Sequence, residues 1–265
     1  MHYSVCIPAV FNANPSSAAL FSAAAAGFQR YEIWSWWDQD IDAYVKAQKE
    51  NGLEIAAVCT FFISLTDPAC REAYKDGLKK TIEVCKQLGC RTIISQVGQE
   101  LENIPRTLQH ESIVDGLKEC AAMLEQNDIT LVFEPLNTKI DHPGYYLWSS
   151  AEAFEMEEEI GSSHIKVLFD LYHQYIMDDL SVEEIVKNID KIAHFHVAGY
   201  PGRHEPLIDS EIDYKTILKA IRDSGYRGSV GLEYFPVYDA AEGLKTLQKE
   251  LQALKIRLKR GLPNG

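Results

Sequence analysis

The run Leu131-Val-Phe-Glu-Pro-Leu-Asn137 drives apolar residues straight into a glutamate and then a proline. A carboxylate at the end of a buried strand loses hydration, so it is rarely placed there without a partner or a task. The same event recurs three times downstream. Ile165-Lys-Val-Leu-Phe-Asp170 ends on an aspartate, Ile192-Ala-His-Phe-His196 on a histidine and Ser229-Val-Gly-Leu-Glu233 on a glutamate. Four successive strand-like runs thus each deliver one metal-competent group at their C-terminal end.

Working outward from these runs, short apolar stretches alternate with amphipathic helical ones. Upstream, strands are expected at Tyr3–Ile7, Arg30–Trp34, Leu53–Cys59 and Arg91–Gln96. Helices are expected at Ser16–Ala26, Ile41–Asn51, Asp67–Leu88 and Ser112–Gln126. Downstream, Ser150–Ile160, Ser181–Asn188, Tyr214–Ser224 and Ala240–Lys259 are helical in pattern, and Gly261–Gly265 is expected to fray. Glycines 52, 89, 161 and 225 stand where helices should stop. Strict β/α alternation demands parallel strands joined by helical crossovers. Eight such units in 265 residues favour a closed (β/α)8 TIM barrel over an open doubly wound sheet. No linker or composition shift divides the chain, so residues 1–265 are expected to form one domain. The longest connections, Pro135–Ser149 and Ala198–Ile212, fall on the face where barrel enzymes build their sites.

Composition narrows the function. Hydrophobic residues make up 46 % and charged residues 25 %, as in ordinary globular proteins. The net charge of −13 repels phosphate backbones and argues against nucleic-acid binding. No apolar run is long enough for a membrane span, and no signal peptide opens the chain, so the expected address is the cytoplasm. The six cysteines fit neither a zinc ribbon nor a disulfide scaffold and read as reduced packing residues. There is no Gly-rich nucleotide fingerprint.

Side chains in barrel strands alternate between the interior and the helix layer. Glu134 shares parity with Val132, Asp170 with Leu168, His196 with His194, and Glu233 with Gly231. If Val132 and Leu168 point inward, the four polar groups converge at the barrel mouth. Three carboxylates that close repel unless a cation binds them. The alternative is that each caps its own strand or pairs with a basic side chain. Three carboxylates and one imidazole suit Mg²⁺ or Mn²⁺, with Co²⁺ or Zn²⁺ as further candidates.

Several segments together resemble the hydroxypyruvate isomerase family of the xylose-isomerase-like barrels. They are Glu134-Pro-Leu-Asn137, Asp141-His-Pro-Gly-Tyr-Tyr-Leu147, Asp170-Leu-Tyr-His173, Gly199-Tyr-Pro-Gly-Arg-His-Glu-Pro206, Glu211-Ile-Asp-Tyr214 and Gly231-Leu-Glu-Tyr234. The resemblance implies that Glu134, Asp170, His196 and Glu233 hold one divalent metal ion. It implies that Glu134 and Glu233 form the acid/base pair, and that His173 and Arg203 contact the substrate. The implied reaction is isomerisation of a small hydroxy-carbonyl compound through an enediolate, with hydroxypyruvate to tartronate semialdehyde as the nearest named case. Two positions depart from that family: His196 stands where glutamine is usual, and Gly199 where aspartate is expected. Histidine at the former position is typical of ketose 3-epimerases. That activity, and inosose dehydratase chemistry, are therefore the neighbouring alternatives. Outside these classes stand a metal-dependent phosphoesterase and a non-catalytic sugar-binding protein. A homo-oligomer is left open.

Other residues have two readings each. His194 reads as a satisfied core histidine rather than a ligand. Glu32 could reach the pocket or pair with a loop cation. Gln96 could meet a substrate hydroxyl or cap a turn. Trp34, Trp36 and Trp37 could wall a sugar pocket, form a subunit contact or pack over the mouth. His142 and Tyr145 could cover the site or face solvent, and His204 and Glu205 could orient Arg203 or lie exposed. The acidic run Glu155–Glu159 reads as a solvated helix face.

Overall fold

The computed structural model describes residues 1–259, so the Gly261–Gly265 segment lies outside the described residues. Eight parallel strands close in sequence order into a barrel. They are β1 His2–Cys6, β2 Arg30–Ile33, β3 Glu54–Cys59, β4 Thr92–Ser95, β5 Thr130–Phe133, β6 Ile165–Asp170, β7 Ile192–Val197 and β8 Ser229–Leu232. β1 closes the ring on β8, with Tyr3 opposite Val230 and Val5 opposite Leu232. The expected (β/α)8 architecture is therefore the observed one.

Two apolar layers hold it. The larger fills the space between sheet and helices, where Leu131, Phe133, Val167, Phe169 and Phe195 point outward and are buried. Each such side chain contributes about 1.5–3 kcal/mol on burial. The smaller lies inside the ring and contains Ala57, Cys59, Ile94, Val132 and Leu168. Val132 and Leu168 thus point inward, which carries Glu134 and Asp170 to the inner face two residues later.

Ten α-helices surround the barrel among the described residues: α1 Ile7–Val10, α2 Ala19–Ala25, α3 Ile41–Asn51, α4 Arg71–Leu88, α5 Arg106–Gln126, α6 Ser150–Ile160, α7 Leu171–Ile176, α8 Val182–Lys187, α9 Tyr214–Asp223 and α10 Ala240–Lys259. Three depart most from the sequence expectation, while α2 and α4 start three and four residues late. The helices α1 and α7 are short insertions directly after β1 and β6, too brief to show a period in sequence. The helix α7 exists because the Asp170 carboxylate accepts the backbone N–H groups of Tyr172 (2.8 Å) and His173 (3.3 Å), capping the turn. The helix α5 begins at Arg106, six residues before Ser112. Pro105 precedes its first turn, and the buried Gln109 side chain ties that turn to the Leu101 and Ile104 carbonyls. The helix α4 is preceded by a 3₁₀ turn at Pro68–Cys70, with Asp67 accepting the Ala69 N–H. It stops at Gly89, whose φ of +73° suits a residue without a side chain. All six cysteines are free and five are buried, as packing residues should be. No helix among the described residues is long and apolar enough to cross a membrane.

Candidate active site

Backbone register sets the heights of the four groups. Asp170 pairs with His196 across β6 and β7, and His196 with Gly231 across β7 and β8. Glu134 and Glu233 lie one residue beyond their strands but keep the ladder going. Their N–H groups donate to the Ser95 and Val197 carbonyls at 3.3 and 3.1 Å. All four side chains are buried. Glu134, Asp170, His196 and Glu233 each offer a ligand atom, and these atoms lie within 4.8 Å of one another. Glu134, His196 and Glu233 line a cavity of about 570 Å³ at the C-terminal face, and Asp170 lies behind them.

The cluster is held from below. The Glu32 carboxylate, from the third residue of β2, is 1 % exposed and bonds to three side chains. Ser4 Oγ donates to Oε1, while His194 Nε2 and His196 Nε2 each stand 3.0 Å from a carboxylate oxygen. Burial disfavours the Glu32 anion, but the two imidazoles outweigh it and hold the carboxyl below its ordinary range. With Nε2 committed to Glu32, His196 turns Nδ1 toward the cluster, 3.5 Å from both Glu134 and Glu233. Such a carboxylate behind a ligand imidazole fixes the ring and raises its basicity. His194 is a satisfied interior histidine, as its position one layer down suggested. Gly231 makes this crowding feasible: a Cβ there would lie 2.6 Å from both Glu32 Oε1 and His196 Cδ2.

Above the floor, Glu233 is fixed by Trp34, whose indole Nε1 donates to Oε1 at 2.7 Å, and by the Arg203 guanidinium on Oε2. Burial opposes its ionisation, but His196 and Arg203 prevail and depress its pKa. Asp170 goes the other way. Burial and the neighbouring Glu134 raise its pKa to about 7, against the pull of Arg203. Burial also lowers His196, yet Glu233 and Glu32 together hold it well above the ordinary imidazole value. His173 is pushed well below that value by burial and by Arg203.

A cation fits this set on the atoms' own evidence. Glu134 Oε1, Asp170 Oδ2 and His196 Nδ1 are buried without a hydrogen-bond partner. Orphaned buried polar atoms are costly, so three in one cluster call for a ligand.

The remaining candidates divide cleanly. His173 and Arg203 line the cavity. Arg203 has φ of +56° and lies over the Tyr172 and Phe235 rings at 5.4 and 5.7 Å, which aims its guanidinium inward. His204 and Glu205 do not touch it through side-chain bonds. Glu205 is fully buried and accepts the Val237 and Tyr238 N–H groups at 3.4 Å, pinning two loops together. Gly199 pairs with His204, and a Cβ there would meet its ring at 2.6 Å, so this backbone excludes the aspartate of the resembled pattern. Gln96 lines the cavity with its Oε1 unpartnered. Trp36 and Trp37 pack on Phe61 at 5.0 and 4.5 Å and are not among the residues lining the cavity, whereas Trp34 is. The loop after β5 does cover the site. His142 lines it, and the Tyr145 hydroxyl donates to the Glu134 carbonyl at 3.1 Å. In the acidic run, Glu155, Glu158 and Glu159 are exposed, but Glu157 is buried and paired with Lys166.

Sequence alone left Glu32 undecided, because nothing local says that β2 and β7 face each other across the barrel. It assigned Trp34 no bond and Asn137 no task. A charged residue at inward parity was the one available signal for Glu32.

Comparison with known proteins agrees with the barrel fold. The family model of the xylose isomerase-like TIM barrel matches residues 20–255. Hydroxypyruvate isomerase of Escherichia coli (strain K12) is 28 % identical over 262 residues, covering 92 % of this chain and 97 % of that protein. The 2-oxo-tetronate isomerase of Cupriavidus necator is 29 % identical over 182 residues, covering 68 % of this chain and 69 % of that protein. A solved structure from Brucella melitensis, described as AP endonuclease, family 2, superposes with a TM-score of 0.87 at 27 % identity, covering 92 % and 97 % of the two chains. The chain belongs to the xylose isomerase-like TIM barrel family and is, like its curated relatives, an isomerase or epimerase.

Proposed function

We propose that the protein is a divalent-cation-dependent isomerase of a small hydroxy-carbonyl compound, of the hydroxypyruvate isomerase type. The observation that carries this reading is the pair of buried glutamates, Glu134 and Glu233, sharing one cluster with three orphaned ligand atoms under an open cavity. Glu134, Asp170, His196 and Glu233 would hold the ion, with Mg²⁺ or Mn²⁺ favoured by the oxygen-rich donor set. Such an ion would supply electrostatic stabilisation to the paired oxygens of an enediolate.

The chain's own residues do the rest. Glu233 is ionised through the neutral range, so it begins as a proton acceptor; it removes the proton from the hydroxymethyl carbon. Glu134 takes the proton that the substrate hydroxyl gives up and returns it to the neighbouring carbon, while Glu233 passes its proton to the former carbonyl oxygen, which completes the exchange of carbonyl and hydroxyl positions and restores both carboxylates. Arg203 offers a planar fork for the substrate carboxylate, and His173 an imidazole edge for an oxygen. The loop after β5 screens the site from water. Proton return to the opposite face of the same carbon would instead give a 3-epimerase, which the His196 position favours. A phosphoesterase is disfavoured by the net charge of −13 and by a cluster holding a single histidine.

The deciding experiment follows solvent deuterium into hydroxypyruvate, tartronate semialdehyde, 2-oxo-tetronate and ketohexoses, with Mn²⁺ and with chelator. Label on the hydroxymethyl carbon of hydroxypyruvate, or on the hydroxyl-bearing carbon of tartronate semialdehyde, dependent on the ion, is expected for the isomerase. Label confined to C3 of a ketose would replace it by the epimerase. No exchange, together with no bound ion, would remove enediolate chemistry altogether.

A second expectation concerns pH. In the metal-free protein, Asp170 keeps a proton between its ordinary pKa of 3.8 and about 7 that the unfolded chain has lost. Native-state binding of that proton makes stability fall as pH rises through this window. His196 acts with the same sign: its stabilisation is complete below 6.5 and is lost as pH climbs toward its raised folded value. The cation takes over the proton's role, so added Mn²⁺ should raise Tm more at pH 7.5 than at pH 5.5. At a hundredfold excess over Kd the gain is about 2.7 kcal/mol, or roughly 5–10 °C. Equal shifts at both pH values would contradict the ligand set.

A further inference from the structure

Asn137 closes the Glu134-Pro-Leu-Asn137 motif and is fully buried, yet neither the cluster nor the cavity lining includes it. Its side-chain oxygen accepts the backbone N–H groups of Ile140 at 3.0 Å and Asp141 at 2.9 Å. Those two donors settle the orientation of the amide, since a nitrogen in that place would face two hydrogens. The amide nitrogen therefore faces the other way. It lies 2.6 Å from Asp141 Oδ2 and 2.5 Å from His173 Nδ1. The carboxylate takes one amide hydrogen and His173 Nδ1 takes the other. A ring nitrogen that accepts a hydrogen bond carries no proton, so the imidazole proton sits on Nε2.

His173 Nε2 is buried, has no hydrogen-bond partner and belongs to a residue that lines the cavity beside the cluster. Its nearest charged atom is Asp170 Oδ2 at 3.5 Å. With Asp170 Oδ2 turned to the cation of the proposed function, the N–H is left to an oxygen that arrives with the substrate.

We infer that Asn137 is a positioning residue that locks His173 as a neutral imidazole with its N–H on Nε2. The locked ring then donates to the substrate oxygen that gains charge as the adjacent proton leaves, and takes no part as a base. The substrate class follows: a hydroxy-carbonyl compound whose oxygen, next to the exchanging carbon, points at His173. The turnover part of this inference rests on the function proposed above; the tautomer part does not.

The test is a long-range proton–nitrogen correlation spectrum of the full chain with ring-¹⁵N histidine and Mg²⁺ added, the His173 signals being assigned by their loss in His173→Gln. The expected spectrum has an unprotonated Nδ1 and a protonated Nε2. Asn137→Asp exchanges the amide donor for an acceptor and should move a proton onto Nδ1. Asn137→Ala removes the donor without adding charge, and decides the matter if the aspartate variant does not fold. With whichever substrate exchanges deuterium, Asn137→Ala should lower kcat by about 10²-fold with little change in KM. A wild-type His173 protonated on Nδ1, or variants that keep both the Nε2–H form and full kcat, would overturn the inference. If no substrate reacts, the spectrum alone still upholds or overturns the lock.

Discussion

Replacing Glu233 by glutamine should abolish metal-dependent deuterium exchange, lowering kcat by about 10³-fold or more, at the upper end of what one general acid–base group supplies. Glutamine keeps the shape and still offers an oxygen to Trp34 Nε1, so the fold should survive. What it loses is the charge that faces His196 and Arg203. Metal affinity should fall as well, because one anionic ligand has gone. These two losses separate in one titration: saturating Mn²⁺ should restore occupancy, read by thermal shift, but not turnover. Full recovery of kcat at high Mn²⁺ would show that Glu233 serves as a ligand and not as a base.

Gly231→Ala should damage both the barrel and the site at once. The new methyl lands within 3.0 Å of both Glu32 oxygens and of the His196 ring. Neither neighbour can yield, since Glu32 is tied to Ser4, His194 and His196. Overpacking of this kind costs about 2–3 kcal/mol. Tilting His196 should also weaken metal binding by about 10–100-fold, the usual effect of disturbing the group behind a ligand. Denaturant midpoint and metal titration measure the two effects independently. A variant with wild-type values of both would mean that the Glu32–His196 contact has slack that the close approach denies.

How much of the fold and site is legible in the sequence depends on distance along the chain. The alternation of inward and outward side chains is a local property, and it alone puts Glu134 above Val132 and Asp170 above Leu168. The stops at Gly52, Gly89 and Gly161 are equally local and fall where expected. The helix α7 is not legible, because its cause is the Asp170 side chain acting as a cap rather than any periodicity. Arg203 is visible only as part of a motif; its inward aim depends on a left-handed backbone turn. Glu32 and Trp34 are out of reach for a different reason. Their partners are His196 and Glu233, 164 and 199 residues away, and only closure of the ring makes them neighbours.

That closure has an evolutionary side. All four cluster residues lie in the second half of the chain, from Glu134 onward, which suggests a self-sufficient catalytic segment. Yet the supports come from β1, β2 and the turn after it: Ser4, Glu32 and Trp34. The first half of the barrel thus supplies supports to groups that all lie in the second half. Recombination that swapped the first two β/α units between distant relatives would preserve every ligand and still scramble their aim. In this chain the aim of the cluster therefore depends on both halves of the ring.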